Sequence, residues 1–316
     1  MSTDRIDGPE IAVLGSFVGA VWVRAPRLPV KGETLIGSGI SMGPGGKGSN
    51  QAIGAARLGA RVAFIACIGR DLFGQMALEL WEREGIPTHH VVQRADVPTG
   101  GALSVIDPAG DNYIVVDPAA NERLTPEDVR AFAPEITRSR LVMAQLEIRP
   151  EAVAEGFRIA RAAGVLTLLN PGPYRPLDDA LLALVDVLTP NETEARQLAG
   201  LAPDDDTPLD MVARRLRDRG AGTVLITRGA DGVLAATADG VFAVPGFPVP
   251  VVDVTGAGDS FNAALAVALA RGRALRAALV EANAAGALAV MRDGVVPALP
   301  SRAQLAEFLR ARGADG

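Results

Sequence analysis

Short apolar runs alternate with stretches of helical periodicity throughout the second half of the chain. The runs predict strands at Leu141–Leu146, Val165–Leu169, Val185–Leu188 and Thr223–Thr227. The periodic stretches predict helices at Glu151–Ala163, Leu177–Leu184, Asn191–Leu198, Met211–Arg219, Ala274–Met291 and Gln304–Leu309. This alternation predicts a three-layer α/β fold, in which a parallel sheet is covered by helices on both faces.

The first half of the chain follows this alternation only in part. Its apolar runs predict buried strands at Ile11–Ser16 and Arg61–Ile68, and a helix at Phe73–Glu84. Gly101–Asp107 and Tyr113–Asp117 flank the turn residues Pro108–Asn112 and predict an antiparallel hairpin. We assign this hairpin, together with the alternating segment Ala20–Ala25, to a small accessory sheet.

Polar or glycine residues follow several of the predicted strands. Glu147, Asn170, Thr189 and Thr227 each come directly after an apolar run, or end one. Because ligands of parallel sheets bind beyond the carboxyl ends of the strands, we expect these residues to converge on one edge.

The stretch Asp253–Asp259, D-V-T-G-A-G-D, has the pattern of a glycine loop that opens a helix. The apolar, β-branched run Val249–Val254 predicts the end of an extended segment, and a helix is predicted from Ala257 or Gly258. Such a loop presents free N–H groups and the positive end of the helix dipole, which favours an anion. Asp259 then either caps its own helix or acts as a base beside the anion.

A second glycine-rich stretch, Ser41–Gln51, precedes a helix predicted at Ala52–Leu58. Its four glycines and one proline predict a loop that approaches a ligand closely, and its exit is polar, with Lys47 and Asn50. A Walker A loop is excluded because Gly48 stands where that motif needs Ser or Thr. No G-x-G-x-x-G follows the first strand, so a dinucleotide fold has no fingerprint here.

The composition of the chain argues against several kinds of binding partner. The chain has 316 residues, of which 48% are hydrophobic, and a net charge of −6. Without a block of Lys or Arg, this charge argues against nucleic acid and anionic membranes as partners. The single cysteine, Cys67, and the lack of a signal-peptide pattern at the N-terminus favour a cytoplasmic protein. One cysteine and two histidines argue against a His/Cys metal site.

Three motifs together resemble the signatures of the ribokinase-like (PfkB) carbohydrate kinases. They are Gly45–Ala52 (G-G-K-G-S-N-Q-A), Asn191–Glu194 (N-E-T-E, matching N-x-x-E) and Asp253–Phe261 (D-V-T-G-A-G-D-S-F). The resemblance runs from Ile11 to the C-terminus. It implies one kinase domain over residues 1–316, with lid segments near 17–44 and 98–120 that often form a homodimer contact. It also implies transfer of the γ-phosphoryl group of ATP to a primary hydroxyl of a sugar, with Mg²⁺ and K⁺.

The resemblance assigns a role to each matching residue. It implies that Asp259 is the base and that the N–H groups of Gly256, Ala257 and Gly258 form the anion hole. The implied sugar-binding residues are Gly45, Gly46, Lys47, Asn50, Glu147 and Asp259. The implied nucleotide-binding residues are Asn191, Thr227, Arg228, Gly229, Ala230, Asp231, Gly232, Gly258 and Asn283.

Two sets of metal-binding residues are implied as well. Glu194 would hold Mg²⁺ through water, because Mg²⁺ gives up its hydration shell reluctantly. The positions implied for a monovalent cation are Asp253, Thr255, Ala289, Arg292, Gly294 and Ala298. Taken alone, Asn191 and Glu194 are better explained as a helix N-terminus with an acid in its first turn.

The chain departs from the resemblance after its first strand. Members that phosphorylate ribose carry G-S-x-N-x-D there, whereas this chain has Val18 and Ala20 in place of the Asn and Asp. Those polar groups select for sugar hydroxyls, so their loss predicts a more apolar pocket. D-ribose is the expected substrate. The alternatives are deoxyribose, a ketohexose, a phosphosugar or a nucleoside, and a sugar- or nucleotide-binding protein without turnover.

Overall fold

The computed structural model describes residues 8–109 and 111–314, so Gly110 in the predicted hairpin turn lies outside the described residues. The strands are β1 (Ile11–Leu14), β2 (Val18–Arg24), β3 (Ser38–Gly45), β4 (Val62–Gly69), β5 (Val91–Arg94), β6 (Gly101–Ile106), β7 (Asn112–Asp117), β8 (Leu141–Gln145), β9 (Leu166–Asn170), β10 (Val187–Leu188), β11 (Thr223–Thr227), β12 (Val233–Thr237) and β13 (Gly240–Val244). They form two separate sheets.

Helices connect and cover these strands. They are α1 (Lys47–Arg57), α2 (Leu72–Arg83), α3 (Pro126–Ala131), α4 (Ala133–Arg138), α5 (Pro150–Ala162), α6 (Asp179–Leu182), α7 (Glu192–Leu198), α8 (Leu209–Asp218), α9 (Ala257–Ala270), α10 (Leu275–Ala289), α11 (Val295–Ala298) and α12 (Arg302–Ala311). Within the described residues, no helix combines the length and apolar character needed to cross a bilayer.

The main sheet has nine strands in the order β13-β12-β11-β10-β9-β8-β1-β4-β5. The pairings from β5 across to β11 are all parallel, which confirms the predicted parallel sheet. The pairings of β11 with β12 and of β12 with β13 are antiparallel, so a hairpin extends one edge. Three strands of this sheet, β5, β12 and β13, are absent from the sequence prediction.

Both faces of the main sheet are buried. In β1, Ile11 and Val13 contact one apolar cluster, which contains residues of α1, α9 and α10. Ala12 and Leu14 point to the other face and contact a second cluster, which contains residues of α5, α7 and α8. This two-sided burial explains why the strand sequences are continuous apolar runs rather than alternating ones.

The second sheet has the order β3-β2-β6-β7 and is here called the lid. The predicted hairpin is present as the antiparallel pair β6 and β7, and β2 joins it as expected. The lid is not purely antiparallel, however, because β2 pairs with β6 in parallel. Several of its large apolar side chains are exposed, including Leu103 at 65% and Val115 at 72%.

Two sequence predictions of local structure were wrong. Ser41–Gln51 is not one loop, because β3 continues to Gly45 and α1 begins at Lys47, leaving only Gly46 between them. Gly43 and Gly45 of β3 pair with Ala20 and Val18 of β2. Gly46, with a φ of 93°, forms the turn into α1. Val249–Val254 forms no strand either, since its β-branched residues find no strand partner and Val251, Val252 and Val254 are 62–70% exposed.

Candidate active site

The carboxyl ends of β8, β9 and β10 lie at one edge of the main sheet, here called the rim. Gln145 ends β8 and Asn170 ends β9, and both side chains hydrogen-bond to Gln51 in the first turns of α1. Gln51 in turn contacts Asp259 at the start of α9. The rim therefore joins strand ends and helix starts that are far apart in the chain.

Asp259 lies in the first turn of α9 and is 5% exposed. Its Oδ2 accepts a hydrogen bond from Asn50 Nδ2 at 2.8 Å, and its Oδ1 accepts one from Gln51 Nε2 at 2.9 Å. The side-chain oxygen of Asn50 is buried and has no partner among the described residues. A buried, ionisable carboxylate thus stands beside an acceptor that lacks a donor.

The start of α9 has the geometry of an anion site. Gly256 precedes the helix in the left-handed region with a φ of 79°, and no side chain caps the helix. The interpretation of Asp259 as a cap of its own helix is therefore wrong, because its carboxylate faces the amides of α1 instead. The N–H of Ala257 donates to the carbonyl of Val254 at 3.3 Å, whereas the N–H groups of Gly256 and Gly258 have no acceptor among the described residues and are available to a negatively charged ligand.

Lys47, the first residue of α1, lies among three carboxylates. Burial works to lower the pKa of its ammonium group, but attraction to Asp259, Glu147 and Glu194 outweighs this and raises the pKa above its usual value. Glu147 is held close by Ser16 Oγ at 2.5 Å and by the backbone N–H of Lys47 at 2.8 Å. A permanent positive charge is therefore fixed at the rim.

Asn191 and Glu194 form a capping box at the start of α7. Asn191 Oδ1 accepts a hydrogen bond from the N–H of Glu194 at 2.8 Å, and Glu194 Oε2 accepts one from the N–H of Asn191 at 2.9 Å. The helix-capping role that the sequence alone predicted for Asn191 and Glu194 is therefore present in the fold. Glu194 Oε1 reaches the rim, because a Cβ built on Gly172 would meet it at 2.7 Å and Lys47 Cε at 3.2 Å.

A cavity of about 610 Å³ adjoins the start of α9. Among the residues predicted to bind a nucleotide, those that line it are Thr227, Gly229, Ala230, Gly232, Gly258 and Asn283. Asn283 also fixes one wall, since its Nδ2 donates to the carbonyls of Val244 and Pro245 at 3.2 and 2.9 Å. Arg228 and Asp231 are not among the lining residues, and Arg228 Nη2 instead donates to the carbonyl of Asp231.

Three of the positions predicted for a monovalent cation lie together beside the α9 start. Asp253 Oδ1 accepts from the N–H of Thr255 at 2.8 Å, and Oδ2 accepts from the N–H of Gly294 at 3.2 Å. Burial works to raise the pKa of Asp253, but hydrogen bonds from Thr255 and Gly294 outweigh it and lower the pKa. Ala289 accepts from the N–H of Arg292 at 3.3 Å, and Ala298 is buried in α11.

The two positions where the chain departs from the kinase signature lie in the lid. Val18 pairs with Gly45, and Ala20 pairs with Gly43. Alternate residues of a strand point to the same face, so Val18, Ala20 and Trp22 share one face of β2. The Trp22 ring packs on that face, because a Cβ on Gly43 would lie 2.9 Å from its Cη2 atom. The lid is therefore apolar next to Gly45.

Sequence reasoning assigned no role to four residues of the rim. Gln51, Gln145, Asn170 and Ser16 are all buried and hydrogen-bonded to the predicted site residues or to each other. Some signal was available: Asn170 directly follows the predicted strand Val165–Leu169 and was expected at the sheet edge, and Gln51 lies within the motif Gly45–Ala52. Their roles depend on contacts across the fold.

Comparisons with known proteins agree with this geometry. The family described as pfkB family carbohydrate kinase matches residues 9–302. A ribokinase of Haemophilus influenzae is 38% identical over 299 residues, covering 95% of this chain and 98% of the relative. A deoxyribokinase of Salmonella typhimurium is 33% identical over 301 residues, covering 95% and 98%. The Arabidopsis thaliana ribokinase structure, complexed with ribose and ATP, has a TM-score of 0.90 at 29% identity and covers 96% and 99%.

The fold and the rim define the class: an α/β phosphotransferase that uses an alcohol group as acceptor. The chain belongs to the pfkB family of carbohydrate kinases.

Proposed function

We propose that this protein transfers the γ-phosphoryl group of ATP to the primary hydroxyl of D-ribose, giving ribose 5-phosphate. The observation that carries the proposal is the position of Asp259, a buried carboxylate held by two amides beside the open start of α9. The similarity to the Haemophilus influenzae ribokinase and to the ribose- and ATP-bound Arabidopsis thaliana structure supports both substrates.

The sugar would bind between the rim and the lid. Asn50 Oδ1, which is buried and lacks a donor, suits a sugar hydroxyl. Lys47 and Glu147 offer a donor and an acceptor next to it, and the backbone of Gly45 and Gly46 allows close approach. These groups would orient the ring so that its primary hydroxyl faces Asp259.

Asp259 would take the hydroxyl proton as the oxygen attacks the γ-phosphorus atom. Phosphoryl transfer requires little covalent work from a protein; it requires positioning and stabilisation of negative charge. The N–H groups of Gly256, Ala257 and Gly258 would supply that stabilisation at the N-terminus of α9. The proton thus moves from the sugar oxygen to the carboxylate, and the bond from the γ-phosphorus atom to ADP breaks.

The nucleotide would lie in the cavity that adjoins this helix start. Its volume of about 610 Å³ and its lining by Thr227, Gly229, Gly232 and Asn283 suit a base and ribose. The other positions implied by the resemblance, Arg228 and Asp231, would act from outside the lining. Asn191 would contact the phosphates from the start of α7.

The proposed function also includes two metal sites, one for Mg²⁺ and one for K⁺. Mg²⁺ binds oxygen ligands and commonly uses one or two carboxylates together with substrate phosphates. The carboxylate of Glu194, whose Oε1 lies beside Gly172 on the same side as the end of the Lys47 side chain, fits such a site. When bound, the ion would neutralise charge on the phosphates. K⁺ would bind near Asp253, Thr255 and Gly294, which the carboxylate of Asp253 holds together through the N–H groups of the other two residues.

A second candidate substrate is 2-deoxyribose. The lid presents Val18 and Ala20 where ribose-specific kinases place an Asn and an Asp, so part of the pocket has no group to bind a hydroxyl. A deoxyribokinase of Salmonella typhimurium is 33% identical to this chain. An apolar pocket tolerates a sugar that lacks a hydroxyl because no buried polar group is left unpaired.

We also propose that the lid mediates a homodimer. Leu103 and Val115 pair across β6 and β7 and are 65% and 72% exposed, and Ile40 and Met42 on β3 are 75% and 54% exposed. A contiguous apolar surface of this kind is typical of a protein–protein contact.

The cytoplasmic location expected from the composition stays a prediction.

A coupled assay of ADP release tests the function. D-ribose, 2-deoxyribose, fructose, tagatose and common nucleosides are compared at equal concentration, and the product is identified by phosphorus NMR. We expect the highest kcat/KM for D-ribose or 2-deoxyribose, with phosphate on the primary hydroxyl. Activity should require Mg²⁺ and rise when sodium is replaced by potassium. No turnover with any sugar would contradict the proposal.

A further inference from the structure

Asp259 is held by two consecutive residues of α1, Asn50 and Gln51, one on each carboxylate oxygen. Consecutive residues of a helix point about 100° apart, so they converge on one carboxylate only if the two helices lie very close. That closeness is present one turn further along, where a Cβ built on Gly54 would lie 2.8 Å from the Cβ of Ala263. The packing of α1 on α9 therefore sets the position of Asp259.

The side-chain amide of Gln51 has only one orientation that satisfies its neighbours. The carbonyl of Thr189 accepts from Asn170 Nδ2 at 3.0 Å, which turns Asn170 Oδ1 towards Gln51. Gln51 must then present its Nε2 group to two acceptors, Asn170 Oδ1 at 3.1 Å and Asp259 Oδ1 at 2.9 Å. The Thr189 carbonyl can only accept a hydrogen bond. It therefore fixes which amide atoms donate and which accept from Asn170 through Gln51 to Asp259.

The other end of the Gln51 amide is fixed as well. Gln51 Oε1 accepts a hydrogen bond from Gln145 Nε2 at 2.6 Å. Gln51 and Gln145 are both 0% exposed, and Asn170 is 7% exposed. Two strand ends of the main sheet therefore support Gln51, and neither oxygen nor nitrogen of its amide is left to contact a substrate.

The two oxygens of Asp259 consequently differ in their surroundings. Oδ1 is bonded to the fully anchored Gln51, whereas Oδ2 is bonded to Asn50, whose own side-chain oxygen is buried without a partner. Asp259 Oδ2 can accept a second hydrogen bond while Asn50 Nδ2 stays in place, and Asn50 Oδ1 can itself accept one from a ligand hydroxyl. Gln51 has no such freedom.

We propose that Gln51 is a positioning residue of the kinase: it fixes Asp259 through Oδ1 and leaves Oδ2 to take the proton of the sugar hydroxyl. Gln145 and Asn170 support it from the strand ends. The inference rests on the proposed function, in which Asp259 is the base. It assigns Gln51 no contact with sugar or nucleotide, so binding of both should be independent of it.

Gln51→Met tests this directly, because methionine has a similar length but no hydrogen-bonding amide. We expect kcat for the preferred sugar to fall about 100-fold, as misplacement of a reacting group by about 1 Å does. The sugar KM and the Kd of a non-hydrolysable ATP analogue should stay within about threefold, since no substrate contact is removed. A fall in kcat of less than about threefold in a folded variant overturns the proposal.

Ser49→Ala provides a matched control on the same helix. Ser49 is also 0% exposed, and its hydroxyl accepts a hydrogen bond from Trp81 Nε1 at 2.9 Å without touching Asp259. This variant should lower the melting temperature while leaving kcat near wild type. An equal loss of kcat in Ser49→Ala and Gln51→Met would show a general packing effect and overturn the positioning role.

A double-mutant cycle with Asp259→Asn separates positioning from the base assignment. If Gln51 acts only through Asp259, Gln51→Met should lower kcat in the wild-type background and have no further effect on the residual rate of Asp259→Asn. Equal losses in both backgrounds overturn the proposal. Full turnover in Asp259→Asn alone would instead overturn the assignment of Asp259 as base, whereas the absence of turnover with any sugar in the wild type would overturn the proposed function.

Gln145→Met keeps the inference testable if Gln51→Met does not fold. It removes the outer anchor but leaves the bond between Gln51 and Asp259 in place. We expect a smaller fall in kcat, about tenfold, with an unchanged sugar KM, and a loss no greater than that of Gln51→Met in the double variant. An unchanged kcat in a folded Gln145→Met variant overturns the support assigned to Gln145.

Discussion

The rim and the lid hold their functional residues in different ways. At the rim, Asp259 is 5% exposed and both of its oxygens are hydrogen-bonded to amides of α1. In the lid, Val18 and Ala20 are partly exposed and apolar, and Leu103 and Val115 are mostly exposed. The candidate chemical groups are thus built into the packed interior, whereas the lid is a thin and partly exposed sheet.

Because of this difference, the rim and the lid should tolerate amino-acid substitutions to different degrees. A buried hydrogen-bond network tolerates little, because removing one partner leaves another polar group unsatisfied in a region without water. An exposed sheet tolerates more, so the lid can change its side chains while the kinase machinery is kept. The chain fits this pattern: the rim signature is complete, and the departure from the family lies at Val18 and Ala20 in the lid.

Among the substitutions that leave Asp259 in place, the largest effect is expected from Gly256→Ala at the rim. Gly256 has a φ of 79°, and a Cβ there would lie 2.6 Å from Val295 Cγ1, so the start of α9 would have to shift. We expect kcat to fall about 100-fold or more, as when an oxyanion donor is lost, with the melting temperature lowered as well.

Gly272→Ala is the matched control for backbone strain. Gly272 follows α9 at its other end with a similar φ of 72°, but a Cβ there would meet no atom within 4 Å. It should lose stability by about 1–2 kcal/mol without losing kcat. Near-wild-type kcat in Gly256→Ala would contradict the role assigned to this helix start.

A smaller effect is expected from the lid substitutions Val18→Asn and Ala20→Asp made together. They restore the polar pair of the family signature on the face that carries Trp22. Because a hydroxyl-binding pair discriminates against analogues that lack the hydroxyl, the ratio of kcat/KM for ribose over 2-deoxyribose should rise about tenfold or more. An unchanged ratio, measured by the coupled assay with both sugars, would remove these positions from the account of specificity.

The smallest effect on turnover is expected from charged substitutions on the exposed face of the lid. Leu103→Glu with Val115→Glu places two like charges on a pair of exposed, facing residues. Sedimentation velocity should then show dissociation of the proposed dimer, while kcat changes by less than about threefold because the rim is untouched.

Met211→Glu provides the comparison for the lid charges. Met211 is 57% exposed on α8, outside the lid, and its substitution should leave association unchanged. A wild-type protein that sediments as a monomer would contradict the dimer proposed for the lid.

Much of the fold could be predicted from the sequence, because its signals are local. Continuous apolar runs gave the buried parallel strands, and glycine or capping residues marked many helix ends. The signal of β5 is weak because Gln93 and Arg94 are polar, whereas β12 and β13 are five-residue, largely apolar runs that the sequence prediction missed. Val249–Val254 shows the limit of composition: β-branched residues favour a strand, but a strand also needs a partner in the sheet.

The site was predictable only where a motif carried it. Asp259, Asn50 and Lys47 belong to motifs, and the structure brings them together. Gln51 lies in the same motif as Lys47 and Asn50, but the motif does not show its role as a positioning residue. Its bond to Asp259 joins residues 208 positions apart, and its bond to Asn170 joins residues 119 apart. Such pairings arise from helix and sheet packing, which no local pattern encodes.

The central claim is that Asp259 removes the proton of the sugar hydroxyl at the rim. The most direct measurement compares wild type and Asp259→Asn for turnover of the preferred sugar and, by calorimetry, for binding of a non-hydrolysable ATP analogue. We expect kcat to fall about 1,000-fold, within the range for loss of a general base, while the Kd of the analogue changes little. Turnover within about tenfold of wild type in Asp259→Asn would contradict the claim.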